Sequence, residues 1–198
     1  MPEQKKSKRS QILPSPVPHN EIWKDRYKII AGLGNPGKEF ENTYHNVGVM
    51  ALLDIAKKLG DGNVLPQFKS RKGLFEYAKT DNGIAIKPLV FMNEAGKAIV
   101  AAAREFGAKP EDIIIIHDDS DLMLGDFKIS FGKNAGGHKG VQSIIDALRS
   151  KNFTRIRIGI RPKTEIRRKK AGTFVLTPIT KKDKETLNAV FEKIEYRI

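Results

Sequence analysis

Cysteine is absent from all 198 residues. That excludes disulfides, thiolate metal sites and a cysteine nucleophile, and it fits a reducing compartment. No segment approaches the roughly 18–20 consecutive apolar residues that span a bilayer. The N-terminus has no apolar core of a secretory signal. No serine stands in a G-x-S-x-G elbow, so covalent catalysis has no obvious nucleophile. Acidic residues are in deficit: 36 Lys and Arg face 23 Asp and Glu, a formal net charge of +13. Such a surface attracts polyanions through screened Coulomb forces and counterion release. Charge alone does not choose between RNA, DNA and an anionic membrane. A soluble, cytoplasmic protein is expected, and a monomer without membrane attachment.

What is present reads as one domain, by length and by a hydrophobic content of 39%. Residues 1–22 are expected to be a basic, disordered tail, with Lys5, Lys6, Lys8 and Arg9 followed by Pro14, Pro16 and Pro18 and no hydrophobic period. The folded domain is expected over residues 23–198, from Trp23. There strands and helices alternate. Tyr27–Gly32 reads as a buried strand and Val47–Leu59 as a helix stopped by Gly60. Leu74–Lys79 and Ile84–Val90 flank Asp81-Asn82-Gly83, a strong hairpin signal. Glu94–Phe106 is an alanine-rich helix with Asn93 as its expected N-cap and Gly107 just past its end. Ile113–Ile116 is uniformly β-branched, as a strand buried on both faces would be. Phe127–Phe131 is a further strand, followed by the glycine-rich stretch Gly132–Gly140 and a helix across Val141–Leu148. Phe153–Ile160 forms another strand. Thr180-Lys181-Lys182-Asp183 resembles a capping box opening a C-terminal helix. The expected fold is a single α/β domain with a mixed, twisted sheet flanked by helices.

Gly32-Leu33-Gly34-Asn35-Pro36-Gly37 matches G-x-G-x-x-G directly after a strand. A dinucleotide site also needs a helix opening on the glycines and an acid at the end of a second strand. Here Lys38–Asn46 intervenes, and the candidate acid, Asp54, falls inside a helix. The glycines are read instead as a tight loop that lets backbone approach a substrate and presents Asn35.

Several loops at strand ends carry polar residues that an α/β sheet gathers at the carboxyl ends of its strands. They hold Asn35; His45 and Asn46; Met92 and Asn93; His117, Asp118, Asp119 and Asp121; and His138. A histidine paired with a carboxylate can take a proton from water, and asparagine amides can donate to a developing oxyanion. Each residue also has a duller role. Asn46 and Asn93 make good helix caps, Met92 suits a pocket wall, and His117 reads as a satisfied structural histidine. The His117-Asp118-Asp119-Asp121 cluster lacks further acids at helical spacing, so no metal is expected. By residue chemistry alone the chain is a hydrolase or an RNA-binding α/β domain.

Six linked motifs narrow this. Ile30–Gly37, Thr43-Tyr44-His45-Asn46-Val47-Gly48, Phe91-Met92-Asn93-Glu94-Ala95-Gly96, His117–Leu122, Gly136-Gly137-His138-Lys139-Gly140 and Arg157-Ile158-Gly159-Ile160-Arg161-Pro162 resemble the bacterial-type peptidyl-tRNA hydrolases. The resemblance spans about residues 27–195. It implies a cofactor-free hydrolase that recycles peptidyl-tRNA, with His45 as the base and Asp118 orienting it. It also implies Asn35, Asn93 and His138 as substrate contacts and Met92 as a pocket wall. With a tRNA partner, the basic positions Lys128, Lys133, Arg157, Arg161, Lys163, Arg167 and Arg168 become candidate phosphate contacts.

Two positions depart from the family pattern. Lys139 stands where asparagine is usual, replacing a neutral amide by a cationic donor. Phe40 stands where tyrosine is frequent, with loss of a hydroxyl beside the site. Both are candidate substrate-contact positions. The alternative function is a non-catalytic relative that keeps the fold and acts as an RNA-binding or splicing-assembly factor.

Overall fold

The four-isoleucine run lies in the interior of the sheet. In the computed structural model, which describes residues 27–58, 64–80, 83–162 and 171–195, it opens strand β5. In chain order the elements are β1 (Ile29–Gly32), α1 (Val47–Lys58), β2 (Lys69–Arg71), β3 (Phe75–Thr80), β4 (Gly83–Pro88) and α2 (Ala95–Phe106). They continue with β5 (Ile113–Met123), β6 (Phe127–Phe131), α3 (Lys139–Leu148), β7 (Thr154–Arg161), α4 (Ala171–Phe174) and α5 (Lys181–Glu195). The basic tail over 1–22, Trp23, and Lys163, Arg167 and Arg168 lie outside the described residues, as do Asp81 and Asn82 of the turn.

The sheet order is β2-β3-β4-β1-β5-β7-β6. β4, β1, β5 and β7 run parallel, and the hairpin strands β2–β3 and β3–β4 pair antiparallel, as does β6 with β7. A mixed sheet is therefore present, as the pattern of hairpin plus crossovers predicts.

The two-residue period of the strand sorts the core into two faces. Ile114, Ile116, Ile156, Ile158 and Ile160 pack with Val47, Leu52 and Ile55 of α1 and Leu187, Val190 and Phe191 of α5. Ile113 and Ile115 pack with Ala98, Ile99 and Ala102 of α2, Val141 and Ile144 of α3, and Phe153. All four isoleucines are fully buried, which is why that run shows no polar alternation.

The motif glycines serve this packing. A Cβ on Gly32 would lie 2.4 Å from the Gly48 carbonyl oxygen, and one on Gly48 would lie 2.3 Å from the Ile116 carbonyl oxygen. Helix α1 thus seats its first turn directly on the ends of β1 and β5. The reading of these glycines as a loop opened toward substrate is corrected at Gly32 and Gly34, whose absent side chains make room for α1 residues and Asn46. Because backbone stands on both sides of Gly48, Gly48→Ala is expected to cost about 2–3 kcal/mol or more. Thermal unfolding should report this as a fall in Tm of roughly 4–12 °C. An unchanged Tm would contradict the close approach.

Strand β5 runs past the isoleucines to Met123. His117, Asp118, Asp119 and Asp121 therefore lie on the strand and not in a loop after it. The ladder to β7 pairs Asp118 with Ile158 and Asp119 with Gly159, then slips before Met123 pairs with Arg161. Asn93 is not the cap of α2 either. It lies in a 3-10 turn, Met92–Glu94, and the N-cap position is Glu94 without a side-chain cap bond. Gly107 closes α2 in the left-handed conformation with φ of 62°, as expected of a C-terminal glycine.

Candidate active site

At the carboxyl ends of β1 and β5 the chain encloses a cavity of about 740 Å³, whose walls include His45, Met92, Asn93, Asp118 and His138. Its centre is one carboxylate oxygen. Asp118 Oδ1 lies 2.9 Å from His45 Nδ1 and 3.0 Å from His138 Nε2. His45 comes from the 3-10 turn Tyr44–Asn46 that precedes α1. His138 comes from the residue that caps α3, where its Nδ1 accepts the Val141 N–H at 3.3 Å.

These contacts assign the ring protons. Because His138 Nδ1 accepts, Nε2 carries the hydrogen and donates it to Asp118. His45 donates from Nδ1 to the same oxygen, which leaves the Nε2 lone pair for the cavity. A neutral imidazole held this way by a buried carboxylate has the form of a general base. Burial alone would push the Asp118 carboxyl up. The adjoining His138 and His45 outweigh it, through electrostatic attraction and hydrogen bonds, and hold the group well below the usual carboxylate range. The three residues also bring ligand-type atoms within 4.8 Å of one another, a grouping the sequence reading did not weigh when it considered a metal at His117–Asp121. The His138 proton argues against it: that nitrogen offers a hydrogen and not a lone pair.

Asn35 and Asn46 work as a clamp. Asn46 Oδ1 accepts the Asn35 N–H at 2.8 Å and its amide donates to the Asn35 carbonyl at 2.9 Å. Asn46 is therefore no helix cap; it fixes the loop that presents Asn35. The Asn35 Oδ1 in turn accepts the Met92 N–H at 2.8 Å, which turns the Asn35 NH2 group away from that contact. Met92 is buried, with its sulfur against Gly140. Asn93 is exposed on the cavity wall.

Phe40 does not line the cavity. It packs edge-on against Phe91, which does, with centroids 6.2 Å apart. Lys139 lines the cavity as the first residue of α3.

Among the basic candidates, Lys133 lies on the cavity wall and Lys128 is exposed on β6. Arg157 also reaches the cavity, but its Nε donates to Asp119 at 2.6 Å. Arg161 is half-buried, with its Nε enclosed and without a partner among the described residues. Sequence reasoning passed over Arg155, a buried guanidinium that lines the cavity and donates to the Asn134 carbonyl at 3.0 Å. Its position beside Arg157 on an apolar strand was the signal available.

His117 is only half satisfied. Its Nδ1 lies 2.6 Å from the Asp118 carbonyl oxygen, while the buried Nε2 has no partner among the described residues. Its ring meets that of His138 edge-on at 4.6 Å. Burial, with the neighbouring His138, lowers its pKa well below the usual histidine value, so the ring stays neutral and cannot serve as a second cation.

The model of the peptidyl-tRNA hydrolase family matches residues 29–198. The chain belongs to that family. A peptidyl-tRNA hydrolase of Lactobacillus johnsonii is 39% identical over 171 residues, covering 85% of this chain and 89% of the relative. That of Aquifex aeolicus is 36% identical over 172 residues, covering 84% and 85%. The crystal structure of the peptidyl-tRNA hydrolase from Acinetobacter baumannii superposes with a TM-score of 0.74 at 26% identity, covering 85% of each chain. These relatives carry the name of a hydrolase, so the RNA-binding or splicing-assembly alternative is not favoured.

Proposed function

We propose that the protein hydrolyses the ester joining a peptide to the terminal ribose of tRNA, with His45 activating the water. The observation that carries the role of His45 is its Nδ1 contact to Asp118, which leaves Nε2 facing a substrate-sized cavity. Nε2 takes a proton from water as the oxygen attacks the ester carbonyl carbon. The resulting imidazolium is stabilised by the Asp118 carboxylate. As the tetrahedral intermediate collapses, the bond from the carbonyl carbon to the ribose oxygen breaks. His45 returns its proton to that oxygen, giving free peptide and tRNA.

The Asn35 NH2 group and the Asn93 amide are suited to hold the carbonyl or its oxyanion, each preorganised donor being worth roughly 3–4 kcal/mol by analogy with other acyl-transfer sites. Met92 walls the peptide side. The chemistry needs no cofactor or metal, and we assign it to a cytoplasmic monomer. Among the described residues no helix is long and apolar enough to cross a membrane. Lys128, Lys133, Arg157 and Arg161, with Lys163, Arg167 and Arg168 beyond the described residues, are the candidate tRNA-backbone contacts. Purified protein incubated with peptidyl-tRNA should release intact tRNA and free peptide; binding without release would overturn the proposal.

Lys139 adds its charge on the wall that also carries Lys133. In this reading it grips the anionic substrate. Lys139→Asn should raise KM about threefold to fivefold, the size of one exposed charge contact, with kcat within twofold. A severalfold rise in kcat would show instead that the lysine disturbs the water.

A further inference from the structure

The catalytic turn has little holding it from within. Tyr44–Asn46 is a single 3-10 turn, and Thr43 at its N-cap gives no side-chain cap bond; its hydroxyl donates to the Phe40 carbonyl instead. Support comes from across the chain. Tyr44 N–H and His45 N–H donate to the carbonyls of Thr177 and Val175, at 3.4 and 2.7 Å. Thr43 bridges antiparallel to Pro178, and Ile179 N–H donates to the Asn42 carbonyl at 2.8 Å. The segment between α4 and α5 is thus laid along the turn like a short extra strand.

The Tyr44 side chain ties this strap to α5. Its ring lies against Phe174, with centroids 4.4 Å apart. Its hydroxyl donates to Asp183 Oδ2 at 2.5 Å. The Thr180–Asp183 capping box expected from sequence is half present: Asp183 N–H donates to Thr180 Oγ1 at 3.1 Å. In place of the return half, where the acid would accept the Thr180 N–H, the Asp183 carboxylate accepts from the Tyr44 hydroxyl. The phenol is buried, and burial with the Asp183 carboxylate pushes its pKa up to about 12, so it stays a donor.

We propose that Tyr44 and Asp183 form a latch that makes Tyr44 a positioning residue for His45, its neighbour in the chain. The latch fixes the turn that aims Nε2 of His45 at the substrate, through the N-terminus of α5. It rests on the reading of His45 as the base. Misplacement of a reacting group by about 1 Å can cost on the order of 100-fold in rate, so partial release of the turn should be visible in turnover. Other residues along the strap share the load, which keeps the loss moderate.

The experiment compares Tyr44→Phe, Asp183→Ala and the double variant with wild type and His45→Ala, all as the full chain acting on peptidyl-tRNA. Tyr44→Phe keeps the ring on Phe174 and removes only the hydroxyl. Each single variant should lower kcat about fivefold to twentyfold with KM within twofold, at a temperature well below its Tm. Because the two residues act as one unit, the double variant should fall no further than the worse single. Asp183→Asn, which keeps an acceptor for the phenol, should recover most of what Asp183→Ala loses. A Tyr44→Phe kcat within twofold of wild type, or losses that multiply in the double variant, would overturn the latch. If Tyr44→Phe does not fold, the contrast between Asp183→Ala and Asp183→Asn decides, equal turnover in both sinking the proposal. Should His45→Ala keep full activity, it is the assignment of the base that fails, and the latch with it.

Discussion

His45→Ala should leave an intact fold that still binds peptidyl-tRNA but hydrolyses it about 100- to 10,000-fold more slowly, the usual worth of a positioned general base. His45 is only partly buried, its side chain 13% exposed, and the variant removes no large part of the core. The loss should appear in kcat, with KM changed little, since the imidazole acts on water in the transition state and not on the substrate's ground state. Single-turnover hydrolysis beside an RNA-binding measurement separates the two. If His45→Ala hydrolysed at the wild-type rate, the base would have to be sought elsewhere on the cavity wall.

The second large effect is that of Asp118→Asn. Asp118 Oδ1 receives both imidazoles, and its charge opposes the positive charge that forms on His45 during the reaction. The amide keeps the shape but supplies no charge, so kcat should fall about 100-fold or more. The same substitution changes stability against pH. The carboxyl is held below its ordinary range in the folded protein. It therefore stabilises the fold at pH values above the unfolded carboxyl pKa of roughly 3.9. That contribution is lost as pH falls below this value toward the depressed folded pKa. Acid unfolding of wild type should include this loss, and Asp118→Asn should lack it. A variant with the wild-type acid transition and full turnover would show that the carboxylate does neither job.

Much of the fold was legible because local patterns and tertiary packing agree. The hairpin signal around Gly83, the β-branched run at Ile113–Ile116 and Gly107 after the second helix each correspond to what is observed. Element ends were less legible. Strand β5 continues through five polar residues, His117 to Asp121, because β7 pairs with it up to Asp119 and again at Met123, and that pairing partner is about forty residues away. Asn46 and Asn93 fit the composition of helix caps. Asn46 instead has its amide engaged by Asn35, eleven residues earlier, a contact that no local spacing encodes.

By itself the sequence determined the class of fold, the linked motifs that place the chain among the peptidyl-tRNA hydrolases, and a short list of polar residues at strand ends. The fold class and the polar residues follow from hydrophobic period, turn chemistry and residue type, all of which are local; the family follows from the resemblance of the motifs. The motif resemblance implied Asp118 as the acid beside His45, and the tertiary structure gives the contacts that set it apart from Asp119 and Asp121. Asp118 lies between His45 and His138, Asp119 is taken by Arg157, and Asp121 stays exposed. It also decided that the base stands on a turn strapped to residues 130 positions later. Hydrogen bonds of that reach depend on how sheet and helices pack, because distance along the chain says nothing of distance in space.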